Sequence, residues 1–591
     1  MICRPEHGLR TLLAVISMLA VAACSNEPVD LQPIDKARTA LEAGDGLGAE
    51  ITLRDMLASG TPQEEIAAYL GEAELLQAQL VEARRWLGEG NFSDATAGHG
   101  HHMLGRLEMR SGNLPAAGQA FDRAHAVMPE NSDLWVDIGR LRFRGGEQKQ
   151  AIEASKRAVE LDPTNPDALL LRAQLVRDSE GLSAALGWLE AGLEQSPDNL
   201  ELLGEYAATL GDLGRAGDML VTIRRMAEID DRNPRLYYLQ AVLAARGGDF
   251  MLARSLLDRA GPGIGESPAG MLLSGVVDIQ NGNYQSAAQV LDRLATIQPD
   301  NQRVRELLVR AVAMGLNDRE LVHRFGGMAS LPSASPYIRE LVGRSNEAID
   351  RRADGEPLLG RAAEARPTSL IAIRGRTPLA IAQMRREEGG SAIQSLVRGR
   401  IQAGQTGSAI SEMDTFRRRF PGSADALGLA GDARLADRRP ADALTLYREA
   451  AAIRLTWPLV RRMVVAQRAT GQGRVAERQL AQYLAGHPAN AEAAAALAVI
   501  AIEQQDWPRA AILLDHALDR AAARDPVLWR QRAFVAQKSG DIDLAFDAAV
   551  YAYGLQPMSA RSSELLASVL EQQSQTRTAA ALRQKLSRMG G

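Results

Sequence analysis

A 34-residue period runs through more than half of this chain, and a period of that length leaves few folds open. With frames beginning at residues 30, 64, 98, 132, 166, 200, 234 and 268, the eighth position holds Ala37, Gly71, Gly105, Gly139, Ala173, Ala207, Ala241 and Gly275, all of them small. The twentieth position holds Ala49, Ala83, Ala117, Ala151, Ala185, Met219, Ala253 and Ala287. Frames end on Asn131, Asn165, Asn199, Asn233, Ser267 and Asn301. These side chains accept hydrogen bonds from the orphan amides that open a helix, at about 1 kcal/mol each. Pro166, Pro234, Pro268 and Pro336 follow at the first helical position, where the missing N–H costs nothing.

The frame from Ser132 to Asn165 shows what one period contains. Amphipathic segments Asp133–Arg144 and Lys149–Leu161 flank a Gly145-Gly146 turn, and Pro163 closes the second. Gly139 and Ala151 sit where two helices would cross most closely, with Trp135 and Leu141 supplying bulk beside them. Neither helix buries its apolar face alone, so the units must stack. Trp135, Gly139, Ala151, Ala158 and Pro163 together resemble the tetratricopeptide repeat, although Arg142 replaces the family's aromatic residue. The resemblance implies an all-α solenoid, a superhelix of about 16 helix-turn-helix repeats whose first helices line a concave groove.

Frames at 302 and 336 keep the length and the Ser335 and Ser369 caps but place Leu321 and Gly355 at the twentieth position. A loop is expected over Gly326–Pro336, and the loosest packing with it. Residues 370–389, with Pro378 and the run Arg385-Arg386-Glu387-Glu388, form either a hinge or an extra packed helix. The pattern resumes near 390, 424, 457, 491, 526 and 560, with Ala409, Ala443, Ala476, Ala510, Ala545 and Ala579 at the twentieth position. The expected organisation is an N-terminal array over 34–369 and a C-terminal array over 390–591.

The first 23 residues read as a secretory leader: Arg4, His7 and Arg10, the apolar run Thr11–Val21, then Ala22 and Ala23. Val21-Ala22-Ala23-Cys24 resembles the lipobox of bacterial lipoproteins, which implies lipid attachment at Cys24 and a tether over 24–33. Several acyl chains anchor a protein stably where one does not. Ser25 in place of Asp implies delivery to the outer membrane, facing the periplasm. The only other cysteine is Cys3, within the leader, so neither a disulfide nor a Cys-ligated zinc centre is expected in the mature chain.

Aromatic residues at 4% and a net charge of −5 argue against a nucleic-acid binder, which needs a basic face and stacking platforms. H-E-x-x-H, G-x-S-x-G and phosphate-loop motifs are absent, and no segment outside the repeats would hold a catalytic domain. Neither an enzyme nor a cofactor is expected. Gly44, Gly46 and Gly48 fall at an inter-helix turn rather than in a nucleotide fingerprint, and Gly261, Gly263 and Gly265 fall after a second helix. The cluster His99, His101 and His102 lacks the partners of a zinc site.

In tetratricopeptide arrays the groove is lined mainly by positions 2, 5, 9, 12 and 13 of the first helix. His99, His102, Arg106 and Arg110 take positions 2, 5, 9 and 13 of one repeat, and Arg140 and Arg144 take 9 and 13 of the next. A spacing of four keeps each pair on one face. Two readings stand: a cationic patch for a partner's carboxylates or an acidic polysaccharide, or a charged face paired with Asp133, Asp137 and neighbouring acids. The Lys and Asn of the family's carboxylate clamp are missing.

The segment Lys36–Leu57 resembles the opening of tetratricopeptide lipoproteins from exopolysaccharide and PEP-CTERM sorting loci. The resemblance implies a lipid-anchored periplasmic scaffold for protein–protein contacts in envelope assembly or exopolysaccharide export. A holder of outer-membrane protein clients is the alternative, and an unrecognised hydrolase or transferase the remaining one.

Overall fold

The repeat period sets the helix boundaries almost residue by residue. In the computed structural model, first (A) helices begin at Ser132, Pro166, Leu200, Pro234, Pro268, Gln302 and Pro336, each directly after its expected cap. The capping oxygens of Asn131, Asn165, Asn199, Asn233, Ser267, Asn301 and Ser335 all accept from backbone amides of the following helix. The later frames hold equally well, with A helices starting at Gly390, Ala424, Trp457, Ala491, Pro526 and Ala560.

The structure describes residues 32–299, 301–331, 334–365, 379–384, 390–419, 422–519 and 525–589. The leader, Cys24, most of the tether, Ser369 and most of 370–389 lie outside them. Among the described residues there are 33 α-helices and no strand, an all-α tetratricopeptide repeat solenoid.

Close approach within each hairpin explains the small residues. The alanines at the twentieth position, from Ala49 to Ala579, are all buried. At the eighth position the missing side chain is replaced by a large one from the second (B) helix. A Cβ on Gly71 would come within 2.3 Å of Leu87, on Gly105 within 2.2 Å of Phe121, and on Gly431 within 2.4 Å of Tyr447. Position 24 is thus the partner of position 8, interlocking at the density of a packed interior.

The turn between A and B helices repeats as well. Position 15 is left-handed in the repeats at glycines such as Gly112 (φ 79) but also at Leu316 (φ 58) and Asp350 (φ 61), the frame from 166 being an exception with Gly181 (φ 107) at position 16 instead.

The chain divides into two compact units, one running to Gly146 and one beginning at Glu147. The helices Ser132–Arg144 and Gln148–Leu161, expected as one hairpin, therefore belong to different units. Within the first unit the run of repeats is interrupted where no linker was expected. The B helix Leu80–Leu87 is short, and residues 88–96 form a loop pinned by the Thr96 hydroxyl and the Ser93 amide, both donating to the Glu64 carbonyl.

Within the second unit, two expectations need correction. Gly326–Ser330 is not loop but the last stretch of helix Asp318–Ser330, which runs through both glycines and ends at the extended C-cap Leu331. Gly261, with φ 75, kinks helix Phe250–Gly265 instead of following it. Apolar packing is continuous here, one cluster running from Met271 to Leu358. The same unit also touches itself far along the sequence. Helices Pro166–Ser179 and Leu182–Gln195 meet helix Pro440–Ile453, and a Cβ on Gly422 would lie 2.5 Å from the Ser179 carbonyl oxygen.

Candidate partner-binding face

Three A helices of the first unit, Gln63–Leu76, Ala97–Arg110 and Ser132–Arg144, stand side by side. Helical spacing puts all six expected site residues on this row. The structure connects them into a ladder of polar contacts between neighbouring repeats.

Asp137 is its centre. It is 2% exposed, and its Oδ2 accepts from His102 Nε2 at 2.8 Å and from Arg106 Nε. Its Oδ1 accepts from Arg140 at 3.2 Å. Burial works to raise the Asp137 pKa, but the His102 hydrogen bond and the Arg106 and Arg140 charges outweigh it and hold the carboxyl well below its usual range. Burial lowers His102, and Arg106 adds to that against the pull of Asp137, so the imidazole is neutral and donates through Nε2. One rung away, Glu72 accepts from His99 at 2.8 Å. Its burial is outweighed by the His99 bond and by Arg106, and its pKa is lowered.

Arg110 and Arg144 act differently. Arg110 donates to the Leu75 carbonyl at 2.5 Å and Arg144 to the Met109 carbonyl at 3.2 Å. Each carbonyl lies in the last turn of the preceding repeat's A helix, where it accepts from a turn amide, Ala78 N at 3.1 Å or Gly112 N at 3.2 Å, and has a second lone pair for the arginine. The thirteenth-position arginine therefore caps the helix before it and meets the negative end of its dipole. Arg246 repeats the device on the Gly211 carbonyl in the second unit.

The expected cationic patch is thus largely neutralised. His102 is buried rather than presented, His99 is tied to Glu72, and Arg106 and Arg140 share Asp137. Arg110 and Arg144 alone keep a net charge facing out, because a carbonyl does not cancel one. Sequence reasoning placed the cations and weighed Asp137 as a partner, but it did not place Glu72. The signal was available: Glu72 stands 27 residues before His99, one A helix back. Among the described residues no group of three or more His, Cys, Asp or Glu side chains is placed to hold a metal ion. His101 instead packs edge-on against Phe92, with centroids 5.4 Å apart.

An array of capped two-helix hairpins with a polar A-helix face is the fold of a tetratricopeptide repeat solenoid, and such repeats generally serve protein–protein interaction. The tetratricopeptide repeat family matches residues 108–175, 395–455 and 462–526. Among curated proteins the chain is similar to the peroxisomal targeting signal receptor of Komagataella phaffii, 30% identical over 157 residues. That match covers 26% of this chain and 27% of the receptor, so the chain spans about a quarter of the length of the curated relatives it matches. Among solved structures, Pseudomonas aeruginosa PilF is 16% identical with a TM-score of 0.31, covering 36% of this chain and 97% of that one. The Cut9 and Hcn1 complex of the APC/C is 14% identical with a TM-score of 0.35, covering 90% and 95%.

Proposed function

We propose that this protein is a lipid-anchored scaffold of the bacterial periplasm, held to the outer membrane through Cys24, that gathers proteins of an envelope assembly or exopolysaccharide export system. The observation that carries the reading is the preorganised A-helix face. Its side chains are already fixed by Asp137, Glu72 and backbone carbonyls, so a partner pays little ordering cost on docking. The outward charges of Arg110 and Arg144 favour acidic segments on that partner. The lipobox supports the anchor, and the likeness of Lys36–Leu57 supports the export setting. Repeats occupy the described residues and leave no separate catalytic domain among them.

The alternative, a holder of outer-membrane protein clients, is favoured by one feature of the second unit. Tyr238, Val242, Leu272 and Val276, at A-helix positions 5 and 9, are apolar and only partly buried. In-cell crosslinking from the native membrane separates the two. A scaffold captures a fixed set of folded envelope proteins, and reversing charge with Arg110→Glu plus Arg144→Glu, checked for an unchanged melting point, removes acidic members of that set. Capture of unfolded barrel proteins instead, indifferent to the charge reversal, would sink the scaffold reading. Cys24→Ser is expected to release the protein from the membrane fraction.

A further inference from the structure

A concave feature lies between B helices of the second unit. Residues of helices Asp318–Ser330 and Arg352–Ala365, with Asn346 and Ile349 between them in sequence, line an open cleft of about 810 Å³. That volume falls in the range of small-molecule sites. Its cause is local: Gly326 and Gly327 stand on the wall where a side chain would otherwise project, and a Cβ on either would meet nothing within 4 Å.

The charges around the cleft are unequal. Arg319, Arg351 and Arg361 face a single carboxylate, Asp354, with the His323 ring beside them. Asp354 is engaged by Arg351 at 2.8 Å. Arg361 donates to the carbonyls of Pro357 and Ser330, at 3.1 and 3.3 Å, which aims its guanidinium without neutralising it. Arg319 and His323 make no hydrogen bond or ion pair among the described residues.

Asn346 supplies the second requirement. It lines the cleft at 2% exposure, and its Nδ2 donates to the Val342 carbonyl at 3.0 Å. Its Oδ1 is buried without a donor. Flipping the amide would set two acceptors against each other, so the vacancy belongs to the acceptor. An unmatched buried acceptor is destabilising, and a hydroxyl donor would relieve that.

We propose that this cleft binds a hydroxylated oxoanion, a sugar bearing a carboxylate or phosphate, either free or at the end of a polymer. The arginines take the anionic oxygens in charge-assisted bonds. Asn346 and the second oxygen of Asp354 take hydroxyl groups. A nucleotide fits less well, since the cleft offers no Trp, Tyr or Phe on which a base would stack.

The experiment is calorimetric titration of the full chain with glucuronate, glucose 1-phosphate, glucose, inorganic phosphate and tetragalacturonate. Binding of the charged sugars at least tenfold tighter than glucose or phosphate is expected, and tetragalacturonate binding well beyond glucuronate assigns the source to a polymer end. Gly327→Trp, which blocks the cleft at an exposed helical position, should abolish binding while leaving the melting point intact. Asn346→Leu should raise the melting point and weaken binding at least tenfold, a pairing that a merely structural asparagine would not give. Phosphate binding as tightly as the charged sugars, or no heat from any of them, overturns the proposal. So does binding that survives Gly327→Trp. The A-helix scaffold reading stands or falls separately, because none of these substitutions touches it.

Discussion

Gly181 and Ile453 are 272 residues apart in sequence, yet a Cβ on Gly181 would sit 2.8 Å from the Cα of Ile453. Backbone meets backbone at this seam in the second unit, and Gly181 also has φ 107, a conformation that side chains rarely adopt. Gly422 makes the matching approach to Ser179 without a positive φ, so it is the cleaner probe. Gly422→Ala should open the seam, increasing the radius of gyration in X-ray scattering and speeding amide exchange around 179–182 and 452–454. Unchanged exchange at both segments would show that the approach is not needed.

Asp137→Asn removes the charge that compensates Arg106 and Arg140 and the carboxylate that accepts from neutral His102. Breaking a buried ionic group by deleting one partner costs about 3–5 kcal/mol, and the partial exposure of both arginines moves the expectation toward 3. Chemical denaturation of the first unit, followed by Trp86 and Trp135 fluorescence, reads the effect. A loss under 1 kcal/mol would mean that solvent already carries those charges.

The same ladder predicts a direction with pH. Asp137, Glu72 and His102 all have folded pKa values below their ordinary ones. Each therefore adds stability that is full above its unfolded pKa and lost as pH falls through the folded one. Loss should begin below about 6.5, where unfolded histidine takes up a proton that buried His102 refuses, and steepen below about 4.5 as the carboxylates follow. Melting points measured from pH 8 to 4 should fall, and in His102→Gln the upper part of that decline should flatten.

Leu316 occupies the left-handed turn position that glycine fills in most repeats, and it is 69% exposed. Relieving the strain outweighs the added freedom of the unfolded chain, so Leu316→Gly should stabilise by about 0.5–1 kcal/mol. Gly282→Leu, the reverse change one repeat earlier, should cost a similar amount. Denaturant midpoints of the two variants moving in the same direction would refute the argument.

Much of this fold was legible because a repeat states each rule many times over. The caps from Asn131 to Ser335, the position-20 alanines and the proline starts each recur, so one frame read correctly gives the others. What escaped notice is instructive in physical terms. Position 24 varies among Leu87, Phe121 and Tyr447, and volume rather than identity is what fills the gap above Gly71, Gly105 and Gly431. The ladder was half legible: four-residue spacing aligned Arg106 with Arg110, but which charges meet depends on repeat-to-repeat stacking, and that brought Asp137 beneath both His102 and Arg106. The cleft was foreshadowed only as expected loose packing around Gly326, without its charge. The seam at Gly181 had no local signal, since contacts between distant repeats leave no trace in a 34-residue pattern.

The thirteenth-position arginines give the array an orientation in time as well as in space. Arg110 finishes a helix that precedes it, and Arg144 finishes the one containing Arg110, so each module is completed by its successor. In a nascent chain emerging from its N-terminus, every such helix would lack this side-chain donor on its last turn until the next module appeared. Trimming from the C-terminal side of one of these junctions should therefore unsettle what remains more than trimming from the N-terminal side.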